Sequence, residues 1–127
     1  MSGFGKEQVE FMRRACLLCD RSSLEVRTGC VLVVGSGVVA EGWNTTEKVH
    51  AEQMAVFVAK KAGKSLQGAT VYITRFSCMD CARELAKQGI AELFYMSDHF
   101  SSGNEALPIF KSFGVAVCQI PQEVVWK

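Results

Sequence analysis

The sequence is short of proline, of net charge and of long apolar runs, and each shortage removes a class of protein. Two prolines in 127 residues leave no proline-rich linker or low-complexity spacer. Fourteen lysines and arginines are balanced by thirteen acidic residues, a net charge of +1. That balance gives no overall footprint for DNA or RNA, although a local basic patch can hide within it. No apolar run approaches the roughly 18–20 residues of a membrane span. The opening stretch MSGFGKEQVEFMRRACLLCD is charged early and lacks the apolar centre of a signal peptide, so a cytoplasmic location is expected. There the six cysteines would be reduced thiols, and paired ones point to metal or catalysis rather than to staples.

What is present suits a folded enzyme-sized unit. The length predicts a single domain over residues 1–127, and 49% hydrophobic composition supplies a real core. Val9, Met12, Cys16 and Cys19 recur at three- and four-residue steps, which predicts a helix from Lys6 to about Arg21 with those residues on its apolar side. Cys30–Val34 reads as a buried strand, Gly35–Gly37 as a tight turn and Val38–Gly42 as its hairpin partner. A helix then starts at His50 and closes at Gly63, a strand covers Gly68–Thr74, and a third helix, CARELAKQ, ends at Gly89. AELFYMS is a fourth strand, NEALPIFKSFG a fourth helix despite Pro108, and Val115–Ile120 a fifth strand. The order α-β-β-α-β-α-β-α-β predicts an α/β protein with helices on both faces of its sheet.

Chemistry in such sheets gathers where strands end and helices begin. His50 opens one helix, and Cys78 and Cys81 open another. The two cysteines are three apart and share a helix face. Helix N-termini favour thiolate over thiol. Two thiolates and a neutral imidazole leave a four-coordinate zinc with one open position, the catalytic rather than the closed structural arrangement. Glu52 sits roughly 200° round the helix from His50, at about 3.6 residues per turn. It is thus poorly placed as a further ligand; a short reach from the helix start would instead bring it to the zinc-bound water or the substrate, where a carboxylate can take a proton from water and return it elsewhere.

HAE (His50–Glu52) together with SCMDC (Ser77–Cys81) resembles the zinc-dependent cytidine and deoxycytidylate deaminase superfamily. RTGCVLVV, GWN, HAEQMAV, LQGATVYIT, CMDCARELAKQGI and AELFYMSD follow the family's order, so the resemblance covers most of the chain. Histidine as the first ligand looks like the deoxycytidylate and tRNA-adenosine branches more than the free-cytidine branch. The resemblance implies a three-layer α-β-α cytidine-deaminase-like fold with a five-stranded mixed sheet, order 2-1-3-4-5, its last two strands parallel. It implies Zn2+ held by His50, Cys78 and Cys81, proton transfer by Glu52, and base contact by the Ala51 backbone. Asn44 matches a sugar-binding asparagine, and a homo-oligomer is implied. The expected reaction is hydrolytic deamination of a cytosine nucleotide or nucleoside, with deoxycytidylate favoured and ammonia released. The alternatives are deamination of a base within RNA or DNA, such as tRNA adenosine, or of another free base or nucleoside, and a catalytically idle zinc-bearing module that only binds.

Ser77 stands where the family has proline. Ser77 with Asp80 fits an S-x-x-D cap at the helix start. Several residues keep two readings. Arg75 either meets a substrate phosphate or is solvated. Phe100 and His99 either line the pocket or belong to an ordinary loop, and Asn44 either holds sugar or caps a turn. Trp43 packs under the pocket or at a subunit interface. Cys16 and Cys19, with the same spacing as Cys78 and Cys81, read as core, as do Cys30 and Cys118.

Overall fold

The computed structural model describes residues 4–46, 49–98 and 103–126, with no account of the side chains of 103 and 104. The elements are α1 (Lys6–Leu18), β1 (Gly29–Val34), β2 (Gly37–Trp43), α2 (Ala51–Lys61), β3 (Thr70–Arg75), α3 (Met79–Lys87), β4 (Glu92–Ser97), α4 (Gly103–Ser112), β5 (Ala116–Gln119) and α5 (Gln122–Val125). One sheet has the order β2-β1-β3-β4-β5. β1 runs antiparallel to both β2 and β3, while β3, β4 and β5 are mutually parallel. The expected order and the parallel last pair are both found.

Alternation along the central strands builds two cores. Cys30 and Leu32 of β1, and Val71 and Ile73 of β3, face α2, α3 and α4, where Ala55, Ala59, Leu85 and Phe110 fill the layer. Val31, Val33 and Tyr72 face the other way, onto Met12, Ala15 and Leu18 of α1 and Val125 of α5. Successive strand residues point to opposite faces, so one sheet carries a helical layer on each side. Phe76 packs edge-on against Tyr95 and Phe110 and seals the first core near the end of β3.

Three expectations are corrected. α1 stops at Leu18 and tightens into a 3-10 turn over Cys19–Arg21. Its core face is Met12, Ala15 and Leu18, so Cys16 and Cys19 lie off-centre and half-buried. Met12 belongs to the buried stripe, whereas Cys16 and Cys19 each sit one position past Ala15 and Leu18. Cys118 is exposed, because β5 is an edge strand with three of its four residues open to solvent. The short helix α5 was not anticipated. Trp43 carries Arg21 over its ring, with the guanidinium carbon 5.2 Å from the centroid. No helix among the described residues is long and apolar enough to cross a membrane.

Candidate active site

Trp43 at the end of β2 pairs with Gly29 at the start of β1, and Arg75 at the end of β3 pairs with Ser97 at the end of β4. These residues share one rim of the sheet, because β1 is the strand that runs in reverse. The loops leaving that rim deliver α2 and α3. His50 is the N-cap of α2 and Cys78 the N-cap of α3, both with extended backbone. The His50 amide donates to Gln53 Oε1 at 2.8 Å, which fixes the start of α2.

The three sequence-predicted donors meet. His50 Nδ1 lies 3.2 Å from Cys81 Sγ and 3.7 Å from Cys78 Sγ. One ligand atom from each residue falls within 4.8 Å of the others, and no other such histidine, cysteine or acidic group occurs among the described residues. The thiols are strongly coupled. The Cys81 thiol donates to Cys78 and, with its backbone amide and His50, pulls Cys78 down to about 5 against the opposing effect of burial. Cys81 is pushed up in turn. One thiolate and one thiol share the metal-free pair.

A cavity of about 450 Å3 opens over this group, lined among others by Asn44, His50, Ala51, Glu52, Arg75 and Cys78. Glu52 is 4% exposed. Burial raises its proton affinity, while backbone hydrogen bonding, Ser77 and His50 hold part of the rise back. It lines the same cavity as the donor group without joining it.

Ser77 does not cap α3. Cys78 takes the N-cap position, and Asp80 is exposed and ion-paired with Arg83 at 3.4 Å. Ser77 is 1% exposed, and its hydroxyl makes no well-formed hydrogen bond within the described protein, although it lies near enough to Glu52 to favour the ionised carboxylate. A buried hydroxyl cannot cheaply stay unpaired. Its position beside the donors fits a site that holds polar contents when loaded. Two soft thiols, an imidazole and helix N-termini likewise fit zinc.

Asn44 is committed to the backbone. Its Oδ1 accepts from the Thr28 amide at 2.8 Å and its Nδ2 donates to the Val26 carbonyl at 2.6 Å. Ser22 Oγ donates to the Asn44 carbonyl at 2.7 Å and accepts from the Leu24 amide at 3.2 Å. Asn44 therefore holds in place the segment whose Leu24, Glu25, Val26 and Thr28 wall the cavity. Those wall residues escaped the sequence reading; the turn-forming run RSSLEVRTG before β1 was the available signal. Asn44→Ala removes both side-chain bonds at a buried position. It is expected to cost about 2–3 kcal/mol in denaturant unfolding and to raise KM more than it lowers kcat. Arg75 lines the cavity; burial lowers its proton affinity and the charges of Glu52 and Asp98 oppose that. Phe100 and His99 lie outside the described residues.

Fold and donor set together define an α/β protein with a metal-competent His/Cys/Cys group at the sheet rim. Residues 6–97 match the cytidine and deoxycytidylate deaminase zinc-binding region, and the chain belongs to that family. Deoxycytidylate deaminase of Enterobacteria phage T4 is 32% identical over 81 residues, covering 64% of this chain and 42% of its own length. ComE operon protein 2 of Bacillus subtilis is 25% identical over 131 residues, covering 87% of this chain and 69% of its own. The chain thus spans under half of the phage relative. The dCMP deaminase of cyanophage S-TIM5 shares the fold, with TM-score 0.81 and 24% identity over 92% of this chain and 100% of that one. That cyanophage protein has also been solved with dCMP and dUMP bound.

Proposed function

We propose that residues 1–127 form a zinc-dependent deaminase domain that hydrolyses a cytosine nucleotide, deoxycytidylate foremost, to the uracil form and ammonia. The observation that carries this reading is the convergence of His50, Cys78 and Cys81 beside a buried carboxylate that is not itself a donor. Relatives named as deoxycytidylate deaminases support the substrate.

His50, Cys78 and Cys81 would hold the zinc. Bound there, zinc supplies Lewis-acid activation of water. Glu52 takes one proton from the attacking water and delivers it to the ring nitrogen, then passes the second, from the hydroxyl left on the ring carbon, to the departing amine. Its raised proton affinity suits that task, since a carboxyl poised nearer neutrality both accepts and releases. The Ala51 backbone at the N-terminus of α2 faces the base. Arg75 supplies a cation for a substrate phosphate. Asn44 acts by fixing the 24–28 wall against the sugar.

An ammonia-release screen over deoxycytidylate, cytidylate, deoxycytidine, cytidine and deoxycytidine triphosphate tests the reading. Deoxycytidylate is expected to give the highest kcat/KM, and ammonia from none of them would overturn the proposal. A homo-oligomer is also proposed, because α2 leaves Phe57 64% and Val58 41% exposed. Light scattering is expected to show a mass above that of one chain.

Metal-free protein should reveal the thiol coupling. Cys78 is expected to react with iodoacetamide with a midpoint near pH 5, because its folded-state proton affinity is depressed to about 5. Cys16, raised to about 11, should stay slow at neutral pH. Peptide-resolved mass spectrometry across pH reads both, and zinc should protect Cys78. The depressed value has a stability sign as well: the contribution is full above the ordinary thiol range and is lost as pH falls through about 5.

A further inference from the structure

A second cavity, of about 440 Å3, lies across Arg75 from the first and has no part in the proposed reaction. Cys16 and Cys19 enter it from the end of α1, Met96 enters from β4, and Trp126 follows α5. Cys16 Sγ lies 3.6 Å from Met96 Sδ. Cys19 is one helical turn further on, so its sulfur emerges on the same side. Its other neighbours are weak partners, Thr74 Oγ1 at 3.6 Å and the Ala15 carbonyl at 3.8 Å. All the cysteines are free thiols, so this pair is unbridged.

We propose that Cys16, Cys19 and Met96 form a second metal site, selective for a soft monovalent ion of the copper(I) type. The donor chemistry makes the selection. Two cysteine sulfurs and a thioether suit copper(I), whereas magnesium and calcium need oxygen ligands. Structural zinc sites almost always have four nitrogen or sulfur ligands in a tetrahedron. No histidine or carboxylate of the described residues completes a three-donor group with these cysteines. A soft ion that bonds strongly to sulfur displaces the thiol protons to solvent and leaves a thiolate-bound centre. No electron transfer is involved. The site goes beyond the reading of the first cavity and does not depend on it.

The test is an anaerobic titration of zinc-loaded protein with copper(I) supplied as its bicinchoninate complex. The protein is expected to withdraw one copper per chain while its zinc content, by elemental analysis, stays constant. X-ray absorption should show a copper shell of sulfur alone. Cys16→Ser with Cys19→Ser should abolish the transfer. Met96→Leu, which keeps both thiols and nearly the same volume, should weaken it and remains informative if the double variant fails to fold. The proposal is overturned by absence of transfer, by release of zinc equal to the copper gained, or by unchanged capture in either variant. In protein that takes up no zinc, the same variants are read in a Cys78→Ser, Cys81→Ser background, so capture by the His50 group is not confused with capture here.

Discussion

Glu52→Gln is expected to leave zinc bound and turnover lost. The substitution keeps the size and one oxygen of the side chain but removes its capacity to accept a proton. Glu52 is the buried carboxylate on the cavity wall beside the His/Cys/Cys group, so no neighbour among the residues lining that cavity in the same position takes over. General acid–base catalysis by a placed side chain contributes about 10²–10⁴-fold, and kcat should fall by that much or more. Metal content by elemental analysis should be unchanged, because the carboxylate is not one of the donors. The same variant should gain thermal stability. Burial raises the proton affinity of Glu52, so the folded protein holds that proton more tightly than the unfolded chain, and stability declines as pH rises past the ordinary carboxyl range. Glutamine removes that decline, and the gain in Tm should be larger at pH 7 than at pH 4. Unchanged ammonia release in this variant would sink the proposed mechanism.

The second large effect is expected far from any proton. A Cβ on Gly42 would sit 2.3 Å from the Ala51 carbonyl oxygen and 2.6 Å from the Ala55 amide nitrogen. Both are backbone atoms of α2, which cannot swing aside as a side chain would. Gly29 is tighter still, with the Ala15 carbonyl of α1 at 1.9 Å. The two glycines lie on neighbouring rungs of the hairpin, Gly29 opposite Trp43 and Gly42 opposite Cys30. Helices press the sheet from both sides there. Gly42→Ala must push α2 outward, at a cost of about 3 kcal/mol or more, above the usual range for overpacking because the clash is with backbone. Since His50 is the N-cap of α2, the shift also moves a metal donor. Loss of stability in urea accompanied by weakened zinc retention is the expected pair of readouts. Gly29→Ala should destabilise at least as much while leaving the position of α2 less disturbed.

The strands were legible because β1 and β3 alternate around apolar residues that fill both faces, and the helix ends because Gly63 and Gly89 follow them. His50, Glu52, Cys78 and Cys81 were legible for a different reason: their residue types and spacing have few other uses at helix starts. The sequence concealed what depends on angle and partner. Cys16 and Cys19 have an apolar spacing, but the true stripe of α1 runs through Met12, Ala15 and Leu18. Ser77 has the spelling of a cap, yet the helix begins one residue later and leaves its hydroxyl facing inward. Asn44 was recognised by position, whereas its bonds to the Val26 carbonyl and Thr28 amide join segments that no periodicity links.

The separation of the donors along the chain has a consequence for biogenesis. His50 and Cys81 are 31 residues apart, and they meet only after the hairpin carrying α2 has docked beside β3. The cysteines alone present two thiols, an incomplete and exchangeable grip. Metal capture would therefore come late in folding, as a seal on a finished rim and not a nucleus for it. A growing polypeptide would pass through a stage in which its most reactive thiol is formed but unguarded. Zinc supply would then affect how much protein survives synthesis as well as how much is active.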